Sequence, residues 1–389
     1  MIYSEFKDKK LSMLGFGAMR LPVSEEKIDE ELAEKMVAYA MENGVNYFDT
    51  AYPYHGGMSE RVMGRILGKY PRESFYLADK FPGHQTLESY DPALIFEEQL
   101  RRCNVDHFDF YLLHNVYEKS IDVYLNQEYN ILGYFKEQKR LGRIKHLGFS
   151  THAQLETMAR FLEICGDDME FCQIQLNYLD WTLQQGKEKC ELLAKYNIPI
   201  WVMEPVRGGK LASFEDPRLE AARPGVSTAS WGFRFLQGIP NVKVILSGMS
   251  NMEHVVDNVK TFASADPLSD TELSMVLDIA ESMKNAIPCT GCRYCCDGCP
   301  VGLDIPTMLS ICSDIRFAPV VNSVMMIQAL PESKQPSACI ACGKCSKICP
   351  QGIDIPAVMH ELAYRLESIP SWEAICQQRI QEQKDNAGK

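Results

Sequence analysis

From residue 14 to about residue 262 the chain alternates short runs of β-branched and aromatic residues with longer stretches in which apolar positions recur every three to four residues. A short apolar run reads as a strand buried on both faces, and a period near 3.6 reads as a helix with one packed face. Their regular alternation is that of repeated β-α units around a parallel sheet. Eight strands are predicted, at 14–17, 45–49, 75–80, 108–114, 146–150, 171–175, 199–204 and 242–246. The helices between them carry their own punctuation. Leu32, Met36, Val37, Ala40 and Met41 make one apolar face, with Gly44 as its stop. Asp91 and Pro92 open a second helix as N-cap and first-turn proline, and a third, over 132–141, ends at Gly142. Eight such pairs predict an α/β chain whose strands close into a (β/α)8 TIM barrel rather than an open sheet.

Beyond the eighth pair the pattern changes. Residues 264–270 are polar and include Pro267, and 271–284 show one more helical period before Pro288. The expected organisation is a barrel over 1–265, a linker helix over 266–287, a cysteine-rich domain over 288–376 and a disordered tail over 377–389. The cysteine-rich part repeats itself with an offset of 50 residues. Cys289 to Pro306 and Cys339 to Pro356 share four cysteines, a proline after the fourth, and Gly-(Leu/Ile)-Asp-Ile-Pro leading into a helix-like stretch.

The chain has 15 cysteines, and these two clusters hold eight of them. Each copy is spaced Cys-x2-Cys-x2-Cys-x3-Cys-Pro: Cys289, Cys292, Cys295, Cys299 and Pro300, then Cys339, Cys342, Cys345, Cys349 and Pro350. Three thiolates three residues apart can wrap three irons of a cubane from one tight loop, while the fourth, displaced and turned by proline, points elsewhere. The spacing resembles that of two-cluster bacterial ferredoxins, in which the fourth cysteine serves the other cluster. The resemblance implies one [4Fe-4S] cluster on Cys289, Cys292, Cys295 and Cys349, and a second on Cys339, Cys342, Cys345 and Cys299. The intervening 39 residues look helical, so the domain is expected to be mainly α-helical and ferredoxin-like. Zinc is the competing occupant, but it favours paired ligands spread over a longer loop. Disulfides are disfavoured in a reducing compartment. Cys103, Cys165, Cys172, Cys190, Cys296, Cys312 and Cys376 read as small buried hydrophobes.

Composition narrows the function classes. A formal charge of -12, with no basic stripe interleaved with aromatics, argues against a nucleic-acid surface. The basic group Lys136, Lys139, Arg140, Arg143 and Lys145 reads as a solvated helix end. The first ten residues are charged, and no uncharged apolar run reaches membrane-spanning length, so a cytoplasmic location away from membranes is expected.

Barrel chemistry gathers at the C-terminal ends of the strands. Asp49, Lys80 and His114 each end a predicted strand, and Tyr54 lies five residues past Asp49. These residues sit within Phe48-Asp49-Thr50-Ala51-Tyr52-Pro53-Tyr54 and Leu112-Leu113-His114. With the run 142–150, Gly-Arg-Ile-Lys-His-Leu-Gly-Phe-Ser, these segments resemble the aldo-keto reductase family over about residues 10–265. The resemblance implies a catalytic tetrad. Tyr54 would protonate the carbonyl oxygen as hydride reaches carbon, Lys80 held by Asp49 would bring the phenol closer to useful acid strength, and His114 would orient the oxygen.

The resemblance also places nicotinamide carboxamide contacts on Ser150, Thr151 and Gln173, the ring-facing position on Met203 where an aromatic is usual, and adenine contacts on Asp257 and Asn258. The loop after the seventh strand carries Arg207, Gly208, Gly209 and Lys210, whose amides and cations suit a pyrophosphate, though the loop also reads as a plain turn. The segment 248–254, where the family commonly grips the adenosine 2'-phosphate, contains neither lysine nor arginine, so NADH is expected to serve at least as well as NADPH.

The favoured function is therefore an NAD(P)-linked oxidoreductase acting on a small carbonyl or alcohol, with two clusters exchanging electrons with a one-electron carrier. Because nicotinamides trade hydrides and clusters trade single electrons, a flavin stays open as converter. The alternative is an electron-transfer iron-sulfur subunit whose barrel is a silent docking scaffold. Retention of all four tetrad residues argues against it.

Overall fold

Eight parallel strands close on themselves: β1 Leu14–Gly17, β2 Tyr47–Asp49, β3 Tyr76–Phe81, β4 Phe108–Leu113, β5 Ile144–Thr151, β6 Cys172–Gln175, β7 Ile200–Met203 and β8 Val242–Ser247. Each pairs with the next in sequence, and Ile245 of β8 opposite Leu14 of β1 completes the ring. The strands are buried along nearly their whole length because one face fills the barrel and the other meets helices. Register brings the strand ends that matter to one rim. Gly17 lies opposite Asp49, Asp49 opposite Ala78, Lys80 opposite Leu112 and Ser150 opposite Gln173. The computed structural model describes all residues except 86, 88, 284–286, 288, 290–292, 318–320, 350–351, 368 and 387–389, so Cys292 and Pro350 lie outside the described residues.

The helix signals act locally as their chemistry dictates. Asp91 caps helix Pro92–Cys103 by accepting from Ala93 N at 2.9 Å and Leu94 N at 3.1 Å. Helix Glu30–Glu42 stops where Gly44, at φ +91°, donates its amide to Met41 O. Gly148 in β5 is demanded by packing, since a Cβ there would stand 2.5 Å from Phe171 O.

The opposite rim is closed by an antiparallel hairpin, Tyr3–Phe6 with Lys9–Ser12. Its Phe6 meets Trp201 edge-on with centroids 5.1 Å apart and His146 at 5.0 Å. Burying a phenylalanine contributes about 2–3 kcal/mol, so this residue acts as a plug. The hairpin is absent from the sequence reading because four-residue strands among charges carry too little periodicity.

The chain separates into a unit of Met1–Leu273 with Arg379–Lys389 and a unit of Ser274–Gln378. The division falls inside helix Asp270–Met283. The second unit repeats in structure as in sequence. Helices Ile305–Phe317 and Ile355–Glu367 stand 50 residues apart, each preceded by a left-handed glycine, Gly302 at φ +67° and Gly352 at φ +65°. Arg316 Nε donates to Glu361 Oε1 at 2.9 Å between them, and Met308, Leu309, Cys312, Met359 and Leu362 fill their core.

The tail corrects an expectation. Residues 377–389 are expected to be disordered, yet helix Trp372–Asn386 runs through most of them and its end belongs with the barrel. The long straight-chain residues Gln377, Gln378, Arg379, Gln381, Glu382 and Gln383 lose little rotamer freedom in a helix, and that propensity outweighs the polarity that suggested disorder.

Candidate active site

Asp49 ends β2, Lys80 lies one residue short of the end of β3, His114 follows β4, and Tyr54 sits on the turn Tyr54–Gly57 after β2. The barrel brings all four together. Lys80 Nζ donates to Asp49 Oδ1 at 2.6 Å and to Thr50 O at 2.7 Å, and lies 3.5 Å from Tyr54 Oη. It also stands 5.0 Å from the Tyr54 ring centroid. The Tyr54 and His114 rings meet edge-to-face, 5.9 Å apart at 84°.

A buried ammonium with two acceptors is a fixed charge rather than a mobile one. Burial disfavours it, but Asp49 and the Tyr54 oxygen outweigh burial and hold the lysine above its usual pKa. Its backbone is pinned as well. Asp79 Oδ1 accepts Lys80 N at 2.8 Å, and Gln99 Nε2 reaches Lys80 O at 3.0 Å and Glu60 Oε1 at 3.1 Å. Arg102 Nη1 closes this buried network on Glu60 Oε2 at 2.8 Å. Burial and the neighbouring Glu60 push the Asp79 carboxyl well above the carboxylate range.

For Tyr54 the balance differs from the sequence expectation. Burial raises its pKa, and the downward pull of Lys80 only partly offsets this, so the phenol stands above its ordinary value. It is held protonated, the form a proton donor needs. His114 is driven well below the ordinary imidazole range by burial and then by His84 and Lys80.

His84 is a residue the sequence reading missed. Its ring lies 4.1 Å from that of His114, and burial together with the Arg379 charge keeps it neutral. Its position four residues after Lys80, just past a strand end, was the available signal. His152 is a third buried imidazole, with Nδ1 3.1 Å from Gln175 Oε1 and its pKa lowered to about 3 by burial and Lys189.

Neither Tyr54, His114 nor His84 titrates near neutrality in this arrangement. A rate that depends on proton donation by Tyr54 is therefore expected to be flat from about pH 6 to about pH 9, since the acid stays protonated and the imidazoles neutral. Rapid-mixing measurements across that range check this, and a limb with a midpoint near 7 would assign the proton to a histidine instead.

The cofactor candidates divide. Ser150 lies beside Gln173, whose buried Oε1 has no hydrogen-bond partner, while Gln173 Nε2 reaches Met203 Sδ at 3.6 Å. A buried orphan acceptor of this kind fits an amide N–H. Thr151 is already engaged, its hydroxyl donating to Val116 O at 2.6 Å and accepting Ala153 N at 2.9 Å, which leaves one lone pair for a further donor.

Arg207 departs from the outward-facing role expected of it. It is 1% exposed, with its guanidinium 3.6 Å from Asp180, so it braces the loop from within rather than facing outward. Gly209 N bonds Val206 O, whereas Gly208 and Lys210 are exposed. Asp257 accepts Ser227 Oγ at 2.6 Å, and Asn258 donates to Ser247 Oγ at 2.9 Å. The cation that reaches the loop is Arg20, which the sequence reading did not single out. A Cβ on Gly208 would lie 2.9 Å from its Nη2, and one on Gly248 would meet its aliphatic stem at 3.1 Å.

In the second unit a pocket partly open to solvent is lined by Cys299, Cys339, Cys342 and Cys345 with Leu303 and Met359 among its apolar walls. Cys299 comes from the first cysteine run and the other three from the second. Leu303 N lies 3.5 Å from Cys299 Sγ. Cys289, Cys349 and Cys296 pack against the same core, which includes the buried Cys295.

The model of the aldo/keto reductase family matches residues 13–281, well over half of the chain. The chain belongs to the aldo/keto reductase family. A 4Fe-4S dicluster domain model matches the adjoining residues 282–351. Among curated relatives, L-galactose dehydrogenase of Arabidopsis thaliana is 24% identical over 71% of this chain and 92% of its own length. A probable aldo-keto reductase of Glycine max is 26% identical, with the match spanning 51% of this chain and 57% of that relative. NADH-specific methylglyoxal reductase of Escherichia coli is 24% identical over 52% of this chain and 66% of its own length. An aldo-keto reductase of Bacillus halodurans, in its holo form, superposes with a TM-score of 0.59 at 24% identity, covering 72% of this chain and 96% of that one. One from Klebsiella pneumoniae, solved with NADP and acetate, gives 0.56 at 18% identity over 70% and 93%. This aldo/keto reductase is thus an oxidoreductase of TIM-barrel architecture, and among its described residues no helix is long and apolar enough to cross a membrane.

Proposed function

We propose that this aldo/keto reductase reduces a small carbonyl compound, or oxidises the matching alcohol, with a nicotinamide cofactor in the barrel and two [4Fe-4S] clusters in the second unit. The observation that carries the reading is the Lys80 ammonium held 2.6 Å from Asp49 and 3.5 Å from the Tyr54 hydroxyl, with His114 against the same ring.

The nicotinamide, when bound, supplies the hydride. Tyr54 donates its proton to the carbonyl oxygen, and the adjacent Lys80 charge stabilises the phenolate left behind. Neutral His114 offers an N–H to the same oxygen. Gln173 Oε1 and the Ser150 hydroxyl are the groups suited to the carboxamide, while Met203 takes the ring-facing position. Gly208 and Lys210, with Arg20 in place of Arg207, suit the pyrophosphate.

Arg20 lays only its stem on Gly248, with its head at Gly208, so no cation from it serves a 2'-phosphate near residues 248–254. NADH is therefore expected to bind at least as well as NADPH. Titration of both at equal ionic strength checks this, and a hundredfold preference for NADPH, about 2.7 kcal/mol, would overturn it. The NADH-specific Escherichia coli relative supports this reading, and the NADP complex of the Klebsiella enzyme shows that family members differ.

The apolar cavity bearing Cys299, Cys339, Cys342 and Cys345 supports one cluster there, and Cys289, Cys292, Cys295 and Cys349 are left to hold the other. The clusters, when bound, supply single electrons to or from a carrier. Exchange with a hydride then calls for a two-to-one converter of the flavin type, on the barrel or a partner. Anaerobic reconstitution followed by iron, sulfide and bound-cofactor analysis tests the whole reading. About eight iron and eight sulfide per chain are expected, with nicotinamide-dependent carbonyl reduction, and a zinc-loaded protein without that activity would refute it.

A further inference from the structure

The two copies of the cysteine repeat share their cysteines and the Gly-(Leu/Ile)-Asp-Ile-Pro segment, but they differ at the positions between. Thr290, Gly291, Tyr294, Asp297 and Gly298 of the first copy give way to Ile340, Ala341, Lys344, Lys347 and Ile348 of the second. All five residues of the second set are exposed, Ile340 at 63% and Ile348 at 53%. An aliphatic side chain left in water stabilises nothing, so the fold alone does not account for the exchange. Ala341 makes the point most directly. Its φ of +53° is left-handed, where the first copy has a glycine in sequence and where an L side chain is strained. The methyl group enlarges the exposed apolar surface against that strain.

The charges sort in the same way. Lys344, Lys347 and Ile348 stand at i, i+3 and i+4 of helix Lys344–Ile348 and share one face, while Cys345 between them is buried and lines the cysteine pocket. The described ion pairs of this unit join Arg293 to Asp304, and Arg316 and Arg365 to Glu361, and leave both lysines out. Residues 337–349 contain no aspartate or glutamate. Ile340 and Cys342 line the same pocket and are themselves exposed, so the pocket reaches the surface beside these lysines.

We propose that this face of the second cysteine run is the docking surface for a small acidic one-electron carrier protein. Ile340, Ala341 and Ile348 form its apolar contact, and Lys344 and Lys347 meet the partner's carboxylates. This rests on the reading that Cys299, Cys339, Cys342 and Cys345 hold a [4Fe-4S] cluster. A transient redox encounter needs a small apolar centre with complementary charge beside it to set orientation and on-rate. The chain carries a formal charge of -12, so an acidic partner is repelled on approach except where such a patch offsets the field. A partner seated over Ile340 also covers Cys342, a ligand of the cluster. One electron leaves the reduced carrier, which is oxidised by one unit, and enters the cluster, which is reduced by one. No bond forms or breaks, and no proton moves.

The test uses the full-length protein after anaerobic reconstitution, with an acidic [2Fe-2S] ferredoxin as the probe and iron content checked in every variant. Binding of oxidised ferredoxin at low ionic strength, followed by calorimetry, is expected to weaken about 10- to 100-fold when Lys344→Glu is combined with Lys347→Glu. The difference should close as salt rises, whereas Ile348→Ser should weaken binding at every salt concentration. Carbodiimide, which joins an amine to a carboxylate with loss of water, should cross-link the ferredoxin at Lys344 or Lys347. Rapid mixing with reduced ferredoxin should show slower cluster reduction in the charge-reversed protein, which should instead pass electrons faster to a basic cytochrome. Equal ferredoxin affinity in the wild type and the charge-reversed variant, cross-links only at other lysines, or no binding by the wild type overturns the docking assignment while leaving the cluster reading intact. A wild type that assembles no iron-sulfur cluster overturns the cluster reading, and the docking surface with it.

Discussion

Tyr54→Phe is expected to lower the rate of nicotinamide-dependent carbonyl reduction about 10²- to 10⁴-fold while leaving the visible absorbance of the reconstituted clusters unchanged. The substitution removes one oxygen and little else. The ring that meets His114 edge-on and lies 5.0 Å from Lys80 Nζ is retained. Lys80 keeps both of its strong acceptors, so no buried charge is stranded. The loss is therefore chemical, and single-turnover kinetics under anaerobic conditions should show it in the hydride-transfer step. Activity within tenfold of wild type would mean that another group supplies the proton, and His84 beside His114 would be the next candidate.

Asp49→Asn is a poorer probe for a physical reason. It would leave a fully buried ammonium without its counter-ion, which costs about 3–5 kcal/mol of stability and confounds lost catalysis with lost fold.

The barrel was legible because its signal is repeated eight times and each unit is long enough to show a period. The strand limits moved by one or two residues, as with β2, predicted from 45 and found from Tyr47, because Val45 ahead of it is buried as the strand is. The meeting of Asp49, Tyr54, Lys80 and His114 was legible because three of them lie at or near strand ends, where register fixes their rim. The loops were less so. Arg207 and Lys210 look alike in sequence, yet one is sealed against Asp180 and the other is exposed, a difference set by left-handed Gly208 and Gly209 rather than by composition. The engagement of Thr151 was hidden for a similar reason, since a hydroxyl near a strand end has no sequence mark showing that it donates to Val116 O. The return of the terminal helix to the barrel was out of reach altogether, because no local pattern tells a polar helix which distant part of the chain it will meet.

Cys299→Ala is expected to remove one cluster of two, taking iron after anaerobic reconstitution from about eight to about four per chain. Loss of a single cluster alone does not say which one, because a cluster built wholly within the first cysteine run would fail in the same way. The pairing is decided by a second substitution. If Cys299 serves the cavity with Cys339, Cys342 and Cys345, then Cys299→Ala combined with Cys339→Ala strikes the same cluster twice and still leaves about four iron. If each run holds its own cluster, the two changes strike different clusters and neither survives. The cavity walls favour the first outcome, since Leu303 and Met359 join those four cysteines in a single apolar pocket and Leu303 N lies within 3.5 Å of Cys299 Sγ, an N–H placed to stabilise a thiolate. An iron content near zero in the double variant, with helicity by circular dichroism unchanged, would refute the crossed arrangement. It would also require the turn after Cys299 to carry that sulfur back toward its own run.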